Sequence, residues 1–175
     1  NHTKVYYNLD ESLPKDLKSV IANDKLKENY NMDTTIMLLL KSDLSQKSVD
    51  QLMSEINSID GIEWTLGIDN LIGPALPISM IPDQLISAVR NKDYQVEIVT
   101  SSYKVATDEV NNQIEQINQI VKNYSKDSLV VGEAPLTKDL ITIADTDFKT
   151  VSILSIVIIF LIILILFKSI SLPII

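Results

Sequence analysis

The stretch VSILSIVIIFLIILILF, residues 151–167, is the feature of the sequence that most strongly constrains the structure of the chain. It holds 17 uncharged residues and is followed by Lys168. As an α-helix it is roughly 25 Å long. With Thr150, and with the side chains of Lys149 and Lys168 reaching toward the two headgroup regions, it matches a hydrocarbon core of about 30 Å. The sequence therefore predicts one membrane-spanning helix over residues 150–168.

A buried helix or a pair of apolar strands in a soluble protein is the alternative interpretation of this run. Strands of parallel sheets also carry runs of β-branched residues. Such strands usually have about 4 to 8 residues, and no turn residue interrupts the run here. Length and continuity favour the spanning helix.

Residues 169–175 follow the predicted helix and end in Pro173 and two isoleucines. Apolar residues thus resume after a very short polar link, which predicts the start of a next membrane segment. The chain also lacks an initiator Met, so we expect it to be a fragment of a longer protein.

Charge divides the chain at the same place. The whole sequence has 175 residues, 46% apolar content and a net charge of −8, but only Lys168 is charged after residue 150. The first 150 residues therefore carry −9 and are long enough for a domain with its own core. Clustered Lys and Arg are missing from this acidic part, so the composition excludes nucleic acid as a partner.

Residues 1–132 alternate between extended and helical patterns. Apolar spacing predicts an extra strand at 4–9 and an extra helix at 14–30, with Leu17, Val20, Ile21 and Leu26 on the apolar side of that helix. It then predicts strands at 34–40 and 62–66, which flank a helix capped by Ser45. After a loop and short helix at 67–92 come a strand at 94–100, with Val96 and Ile98 on one face, a helix at 107–123 and a strand at 128–131.

This order, without the 67–92 insertion, is strand, helix, strand, strand, helix, strand. It is the order of the ferredoxin-like split βαβ fold, in which two helices cover one face of a four-stranded sheet. We therefore predict an α+β domain over residues 1–132, a linker helix over 133–149 and the spanning helix after it.

Four features of the sequence form one pattern. VYYNLDESLPKD at 5–16 contains Leu13-Pro14-Lys15-Asp16, and a gap of about one hundred residues with two βα pairs follows. VGEAPLTKDLITIADTDFK at 131–149 then leads into the apolar run, and LFKSISLPII stands at 166–175. Together these features resemble the membrane-large-protein (MMPL) branch of the resistance-nodulation-division (RND) transporter superfamily, whose Phe-Arg-Ser-x-x-x-Pro ending they match except that Lys168 replaces Arg.

The resemblance implies a proton-driven exporter of lipids, other hydrophobic compounds or drugs. This chain would be its first extracytoplasmic porter domain plus the second membrane helix, with residues 1–149 outside a plasma membrane that the full protein crosses several times. In the family, the proton-carrying carboxylates lie in later membrane helices, so the resemblance assigns none of them to this chain. The implied partners are the bilayer, a lipid-like substrate and the rest of the same chain with its second porter domain. A homo-oligomer is compatible with this interpretation.

The insertion holds the best local candidates for contact with a transported molecule. Its apolar residues are more numerous than in ordinary loops, and such patches often mark a ligand or partner contact. We predict a substrate path that includes Leu71, Ile72, Leu76, Ile78, Met80 and Ile81. The alternative is that the insertion packs over the open face of the sheet and closes the core.

Spacings of catalytic or cofactor sites are missing from the sequence. His2 is the only histidine and no cysteine is present, so the usual triads and His or Cys zinc sites are not available. Asp139, Asp145 and Asp147 lack the pattern of a calcium loop and are expected on a solvated helix face. We therefore expect no enzyme activity, metal or cofactor. A ligand-sensing or scaffolding ectodomain of a receptor or an ABC-type permease remains the alternative function.

Overall fold

A computed structural model describes residues 13–67 and 83–168. The chain is divided into two compact units between Lys138 and Asp139. Its elements are α1 (Lys18–Tyr30), β1 (Thr34–Lys41), α2 (Gln46–Asn57), β2 (Ile62–Leu66), α3 (Asp83–Val89), β3 (Tyr94–Ser101), α4 (Asp108–Tyr124), β4 (Leu129–Gly132) and α5 (Glu133–Phe167). The predicted strand at 4–9 and the predicted membrane segment at 169–175 lie outside the described residues.

The four strands form one antiparallel sheet in the order β2-β3-β1-β4. β1 lies between β3 and β4, and Ile36 of β1 faces Val99 on one side and Gly132 on the other. With α2 joining β1 to β2 and α4 joining β3 to β4, this is the ferredoxin-like split βαβ arrangement. The predicted fold class is confirmed.

Alternate residues of β1 point into the core beneath α2 and α4. Ile36, Leu38 and Leu40 are fully buried. Both helices present the apolar stripes that their spacing predicts, with Val49, Leu52, Met53 and Ile56 buried on α2 and Val110, Ile114, Ile117 and Val121 buried on α4. Burial of these stripes, together with the sheet face, is the main source of the domain's stability.

Hydroxyl side chains cap the first turns of both covering helices. The Ser45 hydroxyl accepts a hydrogen bond from the Ser48 amide at 3.2 Å, which confirms the predicted cap of α2. The Thr107 hydroxyl accepts one from the Val110 amide at 3.3 Å at the start of α4. Each cap satisfies one amide that the helix itself leaves unpaired.

β3 turns a polar side toward the helices, which the sequence did not predict. Val96 and Ile98 do share a face, but it is the half-buried face. The fully buried side carries Gln95, Glu97 and Val99, because cross-strand neighbours share a face and Val99 lies opposite the core residue Ile36.

α1 differs more from its prediction. The helix begins at Lys18 rather than at residue 14, and its N-terminal residue Leu17 provides no side-chain cap. None of its residues is buried, and Leu17, Ile21 and Leu26 are each about 40% exposed. The predicted apolar side does not form, because Val20 and Leu26 line a different side of the helix from Leu17 and Ile21.

α5 follows β4 without an intervening loop. Gly132 has φ +134° at this junction, and a Cβ there would lie 3.1 Å from the Thr35 carbonyl oxygen, so glycine suits both the backbone and the close approach. From Glu133 to Phe167 the helix is continuous for 35 residues and is long and apolar enough to cross a membrane. The predicted division into a linker at 133–149 and a span at 150–168 stays a prediction.

Candidate functional site

The domain unit carries a groove of about 730 Å³ beside α1. This α1 groove lies where β1 begins, and the loop after β3 and the first residue of α5 complete it. Its described lining residues are Leu13, Lys15, Ser19, Val20, Asn23, Asp24, Leu26, Lys27, Met32, Asp33, Thr34, Thr35, Lys104, Val105 and Glu133. The volume is within the range of about 300 to 1,000 Å³ that is typical of small-molecule sites.

Few contacts hold the α1 wall of the groove in place. Lys27 forms an ion pair with Asp33 at 2.8 Å. The Asn31 side chain donates a hydrogen bond to Glu63 at 2.6 Å, and Asn31 itself adopts the left-handed conformation that ends the helix. Because no α1 residue is buried, these polar contacts at its C-terminal end are its main described attachment.

The floor of the groove is more rigid. Thr34 and Thr35 belong to β1, which is paired with a strand on each side. The Thr34 hydroxyl donates to the Tyr103 carbonyl oxygen at 2.6 Å, which fixes the loop that bears Lys104 and Val105. The groove thus has one firmly held side and one loosely held side.

Chemically the α1 groove is mixed. Leu13, Val20, Leu26, Met32 and Val105 provide apolar surface. The charged lining side chains are three lysines and three carboxylates, Lys15, Lys27, Lys104, Asp24, Asp33 and Glu133. This arrangement can bind a molecule that has an apolar part and a charged part.

Two tyrosine hydroxyls, one before α4 and one at its last residue, form hydrogen bonds with the C-terminal region of α2. Tyr103 donates to the Asp60 carboxylate at 2.5 Å, and Tyr124 donates to the Glu55 carboxylate at 2.6 Å. Each bond to a carboxylate stabilises the neutral phenol and raises the pKa of that tyrosine above its usual value. These bonds tie the end of α2 to the loop before α4 and to the last turn of α4.

Buried polar side chains cluster near the start of the insertion. Glu97 is 1% exposed and Gln95 is 3% exposed on the helix-covered face. A Cβ added to Gly67 would overlap the Glu97 carboxylate, so the glycine leaves room for that side chain. Among the described residues the Gln95 amide nitrogen has no hydrogen-bond partner. Sequence periodicity missed this cluster because it treats β3 as an ordinary apolar strand.

The substrate path predicted from the sequence lies outside the described residues. This holds for Leu71, Ile72, Leu76, Ile78, Met80 and Ile81, and for His2. The sequence prediction also missed the α1 groove, since its lining comes from three distant segments of the chain. The sequence around α1 gives one indication of the groove: the apolar residues of this helix are spread around it and form no single buried face.

The second unit is an apolar helix with polar residues near its start. Asp139, Asp145 and Asp147 are exposed on α5. Within residues 13–67 and 83–168, no group of three or more acidic or histidine side chains is arranged to hold a metal ion. Beyond Thr150 the exposed side chains of the helix are almost all Ile, Leu, Val and Phe, as a lipid-facing surface requires.

Comparison with known families decides the class of the protein. The sequence profile of the MMPL family matches residues 12–175, nearly the whole chain. The chain belongs to the MMPL family. MMPL proteins are membrane transporters rather than enzymes, so the chain is part of a membrane transporter of the RND/MMPL type. Among curated proteins, no sequence matches it.

Membership in the MMPL family accounts for the two units together. The resemblance inferred from the sequence motifs is confirmed, and the matched segment contains both the α+β domain and α5. A helix that meets the length and composition of a membrane span agrees with a membrane-associated family.

Proposed function

We propose that this chain is the first extracytoplasmic porter domain, with the following membrane helix, of an exporter driven by the proton gradient. The transported molecules are lipids, other hydrophobic compounds or drugs. The full transporter crosses the plasma membrane several times, and residues 1–149 lie outside. The single observation that supports the proposal most strongly is the MMPL match over residues 12–175.

Features of the domain unit are consistent with an extracytoplasmic location. Its acidic character gives solubility, and long acidic loops can cross a membrane regardless of their charge. Lys168 follows the apolar helix and fits the tendency of positive residues to stay on the cytoplasmic side. Family membership favours this transporter over a sensing or scaffolding ectodomain.

The apolar insertion is proposed as part of the substrate path. Leu71, Ile72, Leu76, Ile78, Met80 and Ile81 offer apolar surface in a segment where loops are usually polar. The segment leaves the sheet at Gly67, next to the buried Glu97, and the chain returns at α3. The neighbouring bilayer, the rest of the transporter chain and a second porter domain are the proposed partners.

Transport by the full-length protein in proteoliposomes tests the proposal. With an imposed proton gradient, we expect movement of a fluorescent phospholipid or a lipophilic dye, and loss of that movement when a protonophore is added. The double variant L76D/M80D should reduce the rate by at least about tenfold, because charged side chains on an apolar path disfavour contact with a hydrophobic molecule. Its thermal unfolding should stay close to that of the wild type.

A matched double variant controls for added negative charge. S54D/N57D places two carboxylates on exposed positions of α2 and should leave transport unchanged. Unfolding of L76D/M80D would show that the insertion completes the core, which contradicts the substrate path. Transport that persists after the proton gradient is removed would contradict the energy source.

A further inference from the structure

We propose that Glu97 is a positioning residue for the insertion at 67–92. Its buried carboxylate accepts hydrogen bonds from the main chain at Gly67 and fixes the point where the insertion leaves the sheet. For its role in transport the inference rests on the proposed function, because the insertion carries the proposed substrate path. The attachment itself is measured on the 175-residue chain and does not depend on transport.

Glu97 lies in the interior of the domain unit, where a carboxyl group needs compensating contacts. It is 1% exposed, and its partner across the strands, Leu38, is fully buried. Loss of water around a carboxylate is unfavourable unless hydrogen-bond donors or a cation replace it. Val99 on the same side of β3 and the buried residues of α2 are apolar, and the Gln95 amide nitrogen has no hydrogen-bond partner within residues 13–67 and 83–168. Main-chain amides that pass beside β3 can supply the donors.

Gly67 brings the main chain directly against the Glu97 carboxylate. The register pairs Leu66 with Ile98, so the next residue of the chain passes Glu97. A Cβ on Gly67 would overlap Oε2 of Glu97 and would lie 2.7 Å from its carboxyl carbon. The backbone of Gly67 does not adopt the left-handed conformation, so a side chain is excluded here by lack of space and not by the conformation of a turn.

The other end of the insertion is attached to the same strand. Arg90 forms an isolated antiparallel bridge with Gln95, and the Asn91 amide donates a hydrogen bond to the Tyr94 carbonyl oxygen at 2.8 Å. The two ends of the insertion therefore meet β3 at residues 95 and 97, two positions apart. Attachment at both places restricts the chain between them more than attachment at one place does.

Chymotrypsin cleavage measures how firmly the insertion is attached, because Leu71 and Met80 are cleavage sites within it. E97Q keeps the shape of the side chain and removes its charge, and hydrogen bonds to a charged acceptor are about twice as strong as neutral ones. In phosphatidylglycerol nanodiscs, we expect the 175-residue E97Q chain to be cut at these two sites about tenfold faster than the wild type, since cleavage follows the population of locally open chains. E28Q removes a charge from an exposed position of α1 and should be cut like the wild type.

Substitution at Gly67 tests the same contact and leaves Glu97 in place. G67A sets a methyl group against the carboxylate and should also speed cleavage within the insertion. E97D shortens the acidic side chain by one methylene group, so its effect on cleavage should be smaller in the G67A background than in the wild type. Additive effects of G67A and E97D would overturn the contact, even if E97Q does not fold.

Transport by full-length E97Q separates this inference from the proposed function. Faster cleavage within the insertion together with unchanged transport would support the attachment and contradict the substrate path. Cleavage that rises equally over the whole chain in both E97Q and G67A would show a general role in the core and would overturn the positioning role. Unchanged cleavage in E97Q, with transport still lost in L76D/M80D, would refute this inference alone and leave the proposed function standing.

Discussion

Individual hydrogen bonds decide how the ends of the covering helices are held. Tyr103 and Tyr124 each donate to a carboxylate from the α2 region, and both bonds join segments far apart in sequence. The same bonds raise the pKa of both tyrosines, because only the neutral phenol can donate the hydrogen bond to the carboxylate. Their contribution to stability therefore depends on pH in a known direction.

The double variant Y103F/Y124F should melt at a lower temperature than the wild type at pH 7. A folded-state pKa above the unfolded value of about 10 means that the contribution is complete below pH 10. It is lost as pH rises through the folded-state pKa values, so the gap in Tm should close above pH 10. Circular dichroism melts of the 175-residue chain between pH 7 and 11 measure this gap.

Y30F is the matched control for the tyrosine variant. Tyr30 is 63% exposed on α1, so removal of its hydroxyl should leave Tm unchanged at every pH. A gap for Y103F/Y124F that stays constant from pH 7 to 11 would contradict the assigned role of the two bonds.

At the level of elements, the two sides of β1 have very different environments. Leu38 is fully buried under the helices, whereas its neighbour Met37 is 41% exposed on the opposite face. Both residues lie within the paired part of the strand, opposite Glu97 and Ile98 respectively. The same strand therefore provides a core substitution and its own control.

Leu38→Ala should lower the free energy of unfolding by about 2 to 5 kcal/mol, the usual range for a large side chain removed from a core. Met37→Ala should lower it by less than about 1 kcal/mol, as expected for an exposed position. Urea unfolding followed by fluorescence of Trp64, the single tryptophan, measures both. Equal losses for the two variants would mean that the core is not on the Leu38 side.

Elements with one dominant apolar stripe were predictable from the sequence. α2 and α4 have four or five buried residues at helical spacing, and β1 is an uninterrupted apolar run bounded by polar residues. The strand order followed from the order of elements and the known split βαβ arrangement. The local pattern of apolar residues is sufficient to predict which residues are buried wherever burial depends on a single helix or strand.

Features that depend on tertiary context were not predictable in this way. The burial of Glu97 and Gln95 follows from the register that places Val99 opposite Ile36, and periodicity within β3 gives no information on register. Likewise, the α1 groove brings Val20, Lys104 and Glu133 together from three separate segments. The spacing of the apolar residues predicts one apolar side for α1, although in the structure these residues are spread around the helix and no α1 residue is buried.

The whole molecule combines an acidic α+β domain with one long apolar helix. MMPL membership explains why both occur in the matched segment, and only Lys168 is charged after residue 150. The domain unit carries the α1 groove, and the described part of α5 beyond Thr150 exposes mostly apolar side chains. In the proposed function, the apolar helix crosses the membrane and keeps the domain outside.

Labelling of single cysteines tests this membrane crossing, since these 175 residues contain no cysteine and any cysteine elsewhere in the transporter can be replaced by serine. Cells that produce the full transporter carry either S54C, on the exposed side of α2, or K168C, directly after α5. A membrane-impermeant maleimide should label S54C in intact cells and K168C only after permeabilisation. Equal labelling of both positions from outside would show that the helix does not span the membrane and would contradict the proposed function.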